Sequence, residues 1–451
     1  MRESALSQRE KVFHKLFDGY SGAAFSVCLW DGWRWFSAGC SAPLCTLVFH
    51  SADALKSLVM RPSEITLGEA FLAKEIDVEG DIFSVFDVAE HIFRCPRNRR
   101  RKALEMFSWV FSGIGRRLKR GRLHSIDRDL AAISYHYDQP IEFYRPWLGE
   151  SLAYSCAYFE SEADSVDTAQ ANKLELICRK LRLQTGEHFL DIGCGWGSLI
   201  LQAAAAHNVY AQGITISREQ AKVAELRIRE AHLTESCEVE MLDYRTAPER
   251  FPPFDKIASV GMFEHVGLKN LPLYFKTVRR MLKPGGVFLN HGIAQSPVQE
   301  SGDRFLLNRA IPPFLNDFIA ARWPRRPSFT DKYVFPDGEL VTISEAVRAA
   351  EAAGFEVRDV ENLREHYELT LRRWVDGLRR NADALLKLVP ETTYRIWLLY
   401  MAGSAAAFRR GDIAVYQTLL SNPDRGNSGL PLRREDWYLH STEGLKDLVA
   451  R

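Results

Sequence analysis

Phe189-Leu190-Asp191-Ile192-Gly193-Cys194-Gly195-Trp196-Gly197-Ser198-Leu199-Ile200 is the stretch that decides the fold. Phe189–Ile192 reads as a short apolar strand, the glycines at 193, 195 and 197 as a tight turn, and the pattern from Ser198 to Ala206 as a helix. Glycines between a strand and a helix let a ligand approach the backbone at the helix N-terminus. A dinucleotide fingerprint would need GxGxxG, and here the third glycine comes one residue early. Asp191 also stands two residues before the first glycine. A carboxylate beside a pyrophosphate is repelled, whereas beside an ammonium and a sulfonium it is attracted. The loop therefore points to S-adenosylmethionine.

Working outward, Val209–Ile216 is a second strand, followed by a helix from Arg218. Val239–Leu242 is a third and Lys256–Val260 a fourth. A helix follows, then Leu282-Lys-Pro-Gly-Gly286 turns into a fifth strand, Val287–His291. Strand and helix in alternation predict a doubly wound, Rossmann-like α/β sheet. After the second strand stands Gly213-Ile-Thr215-Ile216-Ser217-Arg-Glu-Gln220, where dinucleotide folds usually place an acid. Ser217 and Gln220 fit a capping box, S-x-x-Q, which is a sufficient structural reason for both. Thr215 and Gln220 stay candidates for the ribose or the amino-acid end of the cofactor. Asp243 follows the third strand, where an adenine amino group would lie.

Residues 300–400 interrupt this rhythm with aromatic- and Arg-rich helices, the place where a substrate cover would be added to the sheet. Residues 1–93 carry short apolar runs, Ala24–Trp30 and Leu44–Phe49, between turn residues. They predict a small mixed α/β domain without a catalytic motif. The expected organisation is thus 1–93, a basic amphipathic linker at 94–122, and a catalytic domain at 123–451.

Lys plus Arg is 59 and Asp plus Glu 58 in 451 residues, so global charge selects no partner. The linker is the local exception. Arg94, Arg97, Arg99, Arg100, Arg101, Lys102, Arg116, Arg117, Lys119, Arg120 and Arg122 face a single acid, Glu105, and enclose Phe107, Trp109 and Phe111. Such a basic–aromatic–basic pattern suits an anionic lipid surface. The plainer reading is a charged interdomain helix whose apolar face packs on its own protein. Nucleic acid fits less well, because no basic surface signature continues elsewhere. None of the eight cysteines forms a CxxC pair or a zinc spacing, so no metal is expected. The chain shows no signal sequence and no apolar run of membrane-span length. A cytoplasmic protein touching the inner face of the membrane from its surface is expected.

With Asp191–Gly197, Gly213–Gln220, Val260-Gly-Met-Phe-Glu264-His265-Val-Gly267 and Leu282–Gly286 in register, the chain resembles cyclopropane fatty acid synthases and their mycolic acid relatives. Tyr154-Ser-Cys156-Ala-Tyr158-Phe, Lys332-Tyr-Val-Phe-Pro336, His366-Tyr367 through Thr370 to Trp374, and Phe408–Ile413 leading to Gln417 extend the resemblance over roughly residues 120–440. The N-terminal zone looks like the extra domain of the phospholipid-acting bacterial members. The resemblance implies a class I methyltransferase sheet with a helical substrate cover. It implies cofactor contacts at Tyr154, Ser155, Asp191, Gly193, Gly195, Gly197, Thr215, Ile216, Ser217, Gln220, Asp243 and Tyr244. It further implies methylene transfer to a cis double bond of a phospholipid acyl chain, and a homodimer.

That chemistry has plain requirements. An alkene is a feeble nucleophile, so the methyl must be held in line with it in a dry site. A weak base must then take a proton so that the ring closes. The resemblance implies a bound bicarbonate for this role, held by Cys156, Glu264, His291, Tyr367 and the backbone of Ile293. One departure stands out: Ser404 occupies a position where many relatives carry cysteine. Two rivals remain open, a fatty-acyl methyltransferase that leaves a methyl or methylene branch, and a non-catalytic membrane-binding protein with a vestigial cofactor fold.

Overall fold

A computed structural model describes residues 8–37, 39, 42–60, 63–94, 139–296, 328–335 and 339–438. The basic stretch beyond Arg94, and the lipid-docking expectation attached to it, lie outside these residues, as does Pro336. By internal contacts the chain divides into two units: residues 1–123, 311–336 and 385–406 form one, and residues 124–310, 337–384 and 407–451 the other.

The first unit is built on four strands, β1 (Phe25–Cys28), β2 (Arg34–Phe36), β3 (Cys45–Phe49) and β4 (Ile76–Gly80), in the order β2-β1-β3-β4. β1 and β3 run parallel and the other pairs antiparallel. The apolar runs read from the sequence become β1 and β3. Their inward residues Phe25, Val27 and Leu47 are buried with Phe13, Phe17 and Trp35, and the Phe17 ring lies 4.9 Å from Phe25 and 5.3 Å from Trp35. The distant segment 385–406 joins this unit through Arg395. Its guanidinium covers the Phe71 ring at 4.0 Å, donates to Phe71 O at 2.8 Å and pairs with Asp77.

The second unit carries seven strands: β5 (His188–Ile192), β6 (Tyr210–Thr215), β7 (Cys237–Met241), β8 (Phe254–Val260), β9 (Leu282–Gln295), β10 (Glu356–Asn362) and β11 (Ile413–Ser421). Their order is β10-β11-β9-β8-β5-β6-β7. β5 to β9 are parallel; β11 runs antiparallel to both β9 and β10. Helices cover both faces, as the alternating pattern predicts. On one face Ile177, Leu181, Ile200 and Ala203 pack on Phe189 and Leu289. On the other, Phe275, Val278 and Ala350 pack on Leu190, Ile257 and Phe288. The chain winds from β5 toward β7 in one direction and places β8 and β9 in the other. The crevice at such a switch point opens beyond the C-terminal ends of β5 and β8.

Two strands were not foreseen. β10 lies within the stretch read as helical, and β11 beyond it. β10 (EVRDVEN) is an edge strand whose residues are only partly buried, so it lacks a clean apolar alternation. β9 is also much longer than Val287–His291, because β11 pairs with it from Val287 to Gln295.

Candidate active site

The loop after β5 opens a cavity at the switch point. Gly193 and Gly195 take positive φ of 81° and 55°, the left-handed region that glycine adopts without strain. A Cβ on Gly195 would meet nothing within 4 Å, so that residue borders open space. Gly197, with φ of 85°, does something else. A Cβ there would lie 3.1 Å from Ala224 Cβ, so this glycine lets helix Ser198–His207 pack closely on helix Arg218–Glu230.

Ten of the twelve expected cofactor residues line the cavity: Tyr154, Ser155, Asp191, Gly193, Gly195, Thr215, Ile216, Gln220, Asp243 and Tyr244. Gly197 and Ser217 do not. Ser217 is the N-cap of the following helix, accepting from Gln220 N at 3.3 Å. The expected capping box is only half formed. Thr215 Oγ1 donates to Gln220 Oε1 at 2.8 Å and accepts from Ser217 N at 3.2 Å, which takes the place of the returning glutamine. With its oxygen so held, Gln220 keeps its NH2 for the cavity. Asp243 is also already engaged. Arg245 grips its carboxylate from Nε at 2.8 Å and Nη2 at 2.6 Å.

The sequence reading missed Lys173. It lies on helix Val166–Leu181, is 2% exposed, lines the cavity and donates to Ser155 Oγ at 3.0 Å. Burial lowers its pKa to about 8, against the pull of Cys156 and Asp191. Asp191 is buried too, and its Oδ1 has no hydrogen-bond partner among the described residues. Burial raises its carboxyl to about 7, with Lys173 opposing. A buried lysine carries no helical or strand period that marks it, so only proximity to Asp191 in space identifies it.

None of Cys156, Glu264, His291, Ile293 and Tyr367 lines this cavity. Cys156 follows Ser155, and Gly261 of the cavity donates its N–H to His291 O at 2.9 Å. Glu264, on a short 3-10 turn, accepts from Ile293 N at 2.7 Å through Oε1. Its Oε2 is buried without a partner among the described residues. Burial raises the Glu264 carboxyl to about 7, with the Ile293 N–H opposing. His291 on β9 is 1% exposed, and its Nε2 likewise has no partner among them. Burial, then Lys173 and Lys180, lower its pKa to about 3, so the ring is neutral. Burial pushes the Cys156 thiol well up, and its Sγ points at Ala157 O and Leu363 O. Tyr367, on helix Arg364–Arg380, stands 4.7 Å from the Phe408 ring and 6.2 Å from Trp374. Trp374 and Phe408 are fully buried, and Trp374 stacks on Tyr154 at 5.2 Å. That stack links the cavity wall to Tyr367.

The comparisons with known proteins follow the same division. Residues 124–418 match a family model described as mycolic acid cyclopropane synthetase. Residues 12–93 match a family described only as a domain of unknown function. A probable fatty acid methyltransferase of Pseudomonas putida is 38% identical over 411 residues, covering 91% of this chain and 95% of that protein. The cyclopropane-fatty-acyl-phospholipid synthase of Escherichia coli is 35% identical over 286 residues, 63% of this chain and 66% of that one. Among solved structures, mycolic acid cyclopropane synthase CmaA1 complexed with SAH and CTAB superposes with a TM-score of 0.56 at 32% identity, covering 64% of this chain and 97% of that one.

Proposed function

Since the chain belongs to the mycolic acid cyclopropane synthetase family and is an S-adenosylmethionine-dependent methyltransferase of the cyclopropane fatty acid synthase type, we propose that it adds a methylene group across a cis double bond of an unsaturated phospholipid acyl chain. S-adenosylmethionine, when bound, supplies an electrophilic methyl group on a sulfonium. Asp191 attracts its positive end, Gln220 offers the NH2 that Thr215 leaves over, and Gly193 and Gly195 let the backbone approach. Bicarbonate, when bound, supplies a weak base.

The observation that carries this reading is that Glu264 Oε2 and His291 Nε2 are buried without a partner among the described residues, Glu264 being held through Oε1 by Ile293 of β9 and His291 standing on the same strand. A buried polar atom left unpaired costs about 1–3 kcal/mol. A small oxyanion that accepts at one edge and donates at another fits the pair. In this reading His291 donates through Nε2, and Glu264 shares a proton at Oε2 in keeping with its raised pKa. Cys156 and Tyr367 close the rest of the site. The Ile293 N–H, already given to Glu264, orients that carboxylate. Trp374 and Phe408 exclude the water that would otherwise add to a carbocation.

The test is the fatty-acid mass spectrum of a host expressing the gene. A ring and an exo-methylene branch have equal mass, but mild hydrogenation reduces only the branch. A product of that mass that survives hydrogenation is expected; a product reduced by hydrogenation, a saturated methyl branch two mass units heavier, or lipids carrying no new product overturns the reading. The branched outcome has one observation of its own. The Pseudomonas putida relative, matched over 95% of its length, is named a probable fatty acid methyltransferase. Among the described residues no helix is long and apolar enough to cross a membrane. In the proposal the lipid is met from the surface through residues 94–122, and sedimentation with anionic vesicles that weakens with salt is the check.

A further inference from the structure

Antiparallel register sets Gln417 of β11 opposite His291 of β9. Over this pair stands Lys180 of helix Val166–Leu181, only 1% exposed. Its Nζ donates to Gln417 Oε1 at 2.7 Å and pairs with Glu361 of β10, and the Trp437 ring lies 5.5 Å away. An ammonium group has donors only. Gln417 must therefore turn its oxygen to Lys180, which leaves its NH2 for His291 Nδ1 at 3.2 Å. An NH2 only donates, so Nδ1 is the bare nitrogen of the neutral ring. The ring proton sits on Nε2, the buried atom without a partner among the described residues.

Without the lysine, the Gln417 amide could pair with either tautomer by flipping. Burying an ammonium is costly, so a lysine here needs a reason. We propose that Lys180 and Gln417 are positioning residues that hold His291 as an Nε2–H donor toward the oxyanion site. Glu361 balances the lysine charge at the far end of the chain. The inference rests on the oxyanion reading given above, but the tautomer itself can be measured apart from that reading. The titratable groups acting on the ring are Lys173 and Lys180 of one helix; Glu361 stands behind Lys180, Cys156 interacts with Lys173, and Glu264 is anchored two residues along β9.

Gln417→Glu is the decisive variant, because it keeps the shape and reverses one hydrogen bond. A carboxylate accepts from Lys180 and also from the ring, so the proton must move to Nδ1 and Nε2 becomes an acceptor. Histidine-labelled full-length protein, with the His291 signals assigned by a His291→Asn control, reports the tautomer by nitrogen NMR. The parent should show a bare Nδ1 and a protonated Nε2, and Gln417→Glu the reverse at high pH. Turnover of the variant should fall at least about tenfold at high pH and recover as the ring takes a second proton at lower pH, with cofactor affinity unchanged. Lys180→Met, a second variant that frees the amide to flip, should show a mixture of tautomers. A parent protonated on Nδ1, or variants that keep a lone Nε2 proton, would overturn the relay. Inverted tautomers with undiminished turnover would instead leave the relay standing and overturn its direction toward an oxyanion.

Discussion

The cofactor cavity and the proposed oxyanion site lie one residue apart at Ser155 and Cys156, yet they are built in opposite ways. The cavity is backbone-defined. Its glycine loop has left-handed φ angles, and two short runs, 191–195 and 215–220, supply much of its lining, with Lys173 and Asp243 added from elsewhere. The cluster is defined by side chains. In the proposal it draws Cys156, Glu264, His291 and Tyr367 from four distant segments, carried by the sheet and by helix Arg364–Arg380. A region shaped by local conformation tolerates changes that preserve φ. A region shaped by convergence depends on each hydrogen bond that aims a side chain. The two should therefore fail separately.

The largest effect should come from Glu264→Ala. Losing a group that governs proton transfer costs about 10²–10⁴-fold in rate. Turnover should collapse by that order while calorimetric affinity for S-adenosylmethionine stays near the parent value, since Glu264 does not line the cavity. Rigorous removal of carbonate should mimic the loss and its return restore activity. Full turnover without carbonate would erase the distinction between the regions.

Asp191→Ala should strike the other region. A charged hydrogen bond is worth about 1.5–3 kcal/mol, so cofactor affinity should fall roughly 10- to 100-fold with the fold intact by circular dichroism. Gly195→Val should do the same through its left-handed backbone, which a β-branched residue resists. Unchanged affinity in either variant would make the loop merely structural.

A gentler probe is pH. The Asp191 carboxyl, raised to about 7, is neutral below that value and charged above it. Only the charged form attracts the cationic end of the cofactor. Affinity should rise with pH up to about 7, by at most about tenfold per unit, and binding should release a proton. Calorimetry in two buffers of different ionisation heat measures that proton, and Asp191→Asn should abolish both the slope and the release. A flat profile in the parent would separate Asp191 from the cofactor.

The smallest effect is expected from Ser404→Ala, on helix Glu391–Arg410. No motif makes its hydroxyl a nucleophile or base, so turnover should stay within about tenfold, or roughly 1.4 kcal/mol of barrier. A larger loss in a steady-state assay would add a third region to the comparison.

Sequence alone determined the parallel sheet and the glycine loop, because both are local. Strand and helix periods repeat within a few residues, and a glycine with positive φ marks its own place in the chain. The cluster residues could be named only through family resemblance. Tertiary structure decided the rest. It put Lys173 beside Asp191 and set Lys180 over Gln417 and His291. β10 and β11 belong here too, since pairing with partners far away in the chain made them strands. Which way an amide faces, or which nitrogen carries a proton, depends on the groups that surround it in space. No period along the chain records Gln417 brought to His291 and Lys180 from more than a hundred residues away.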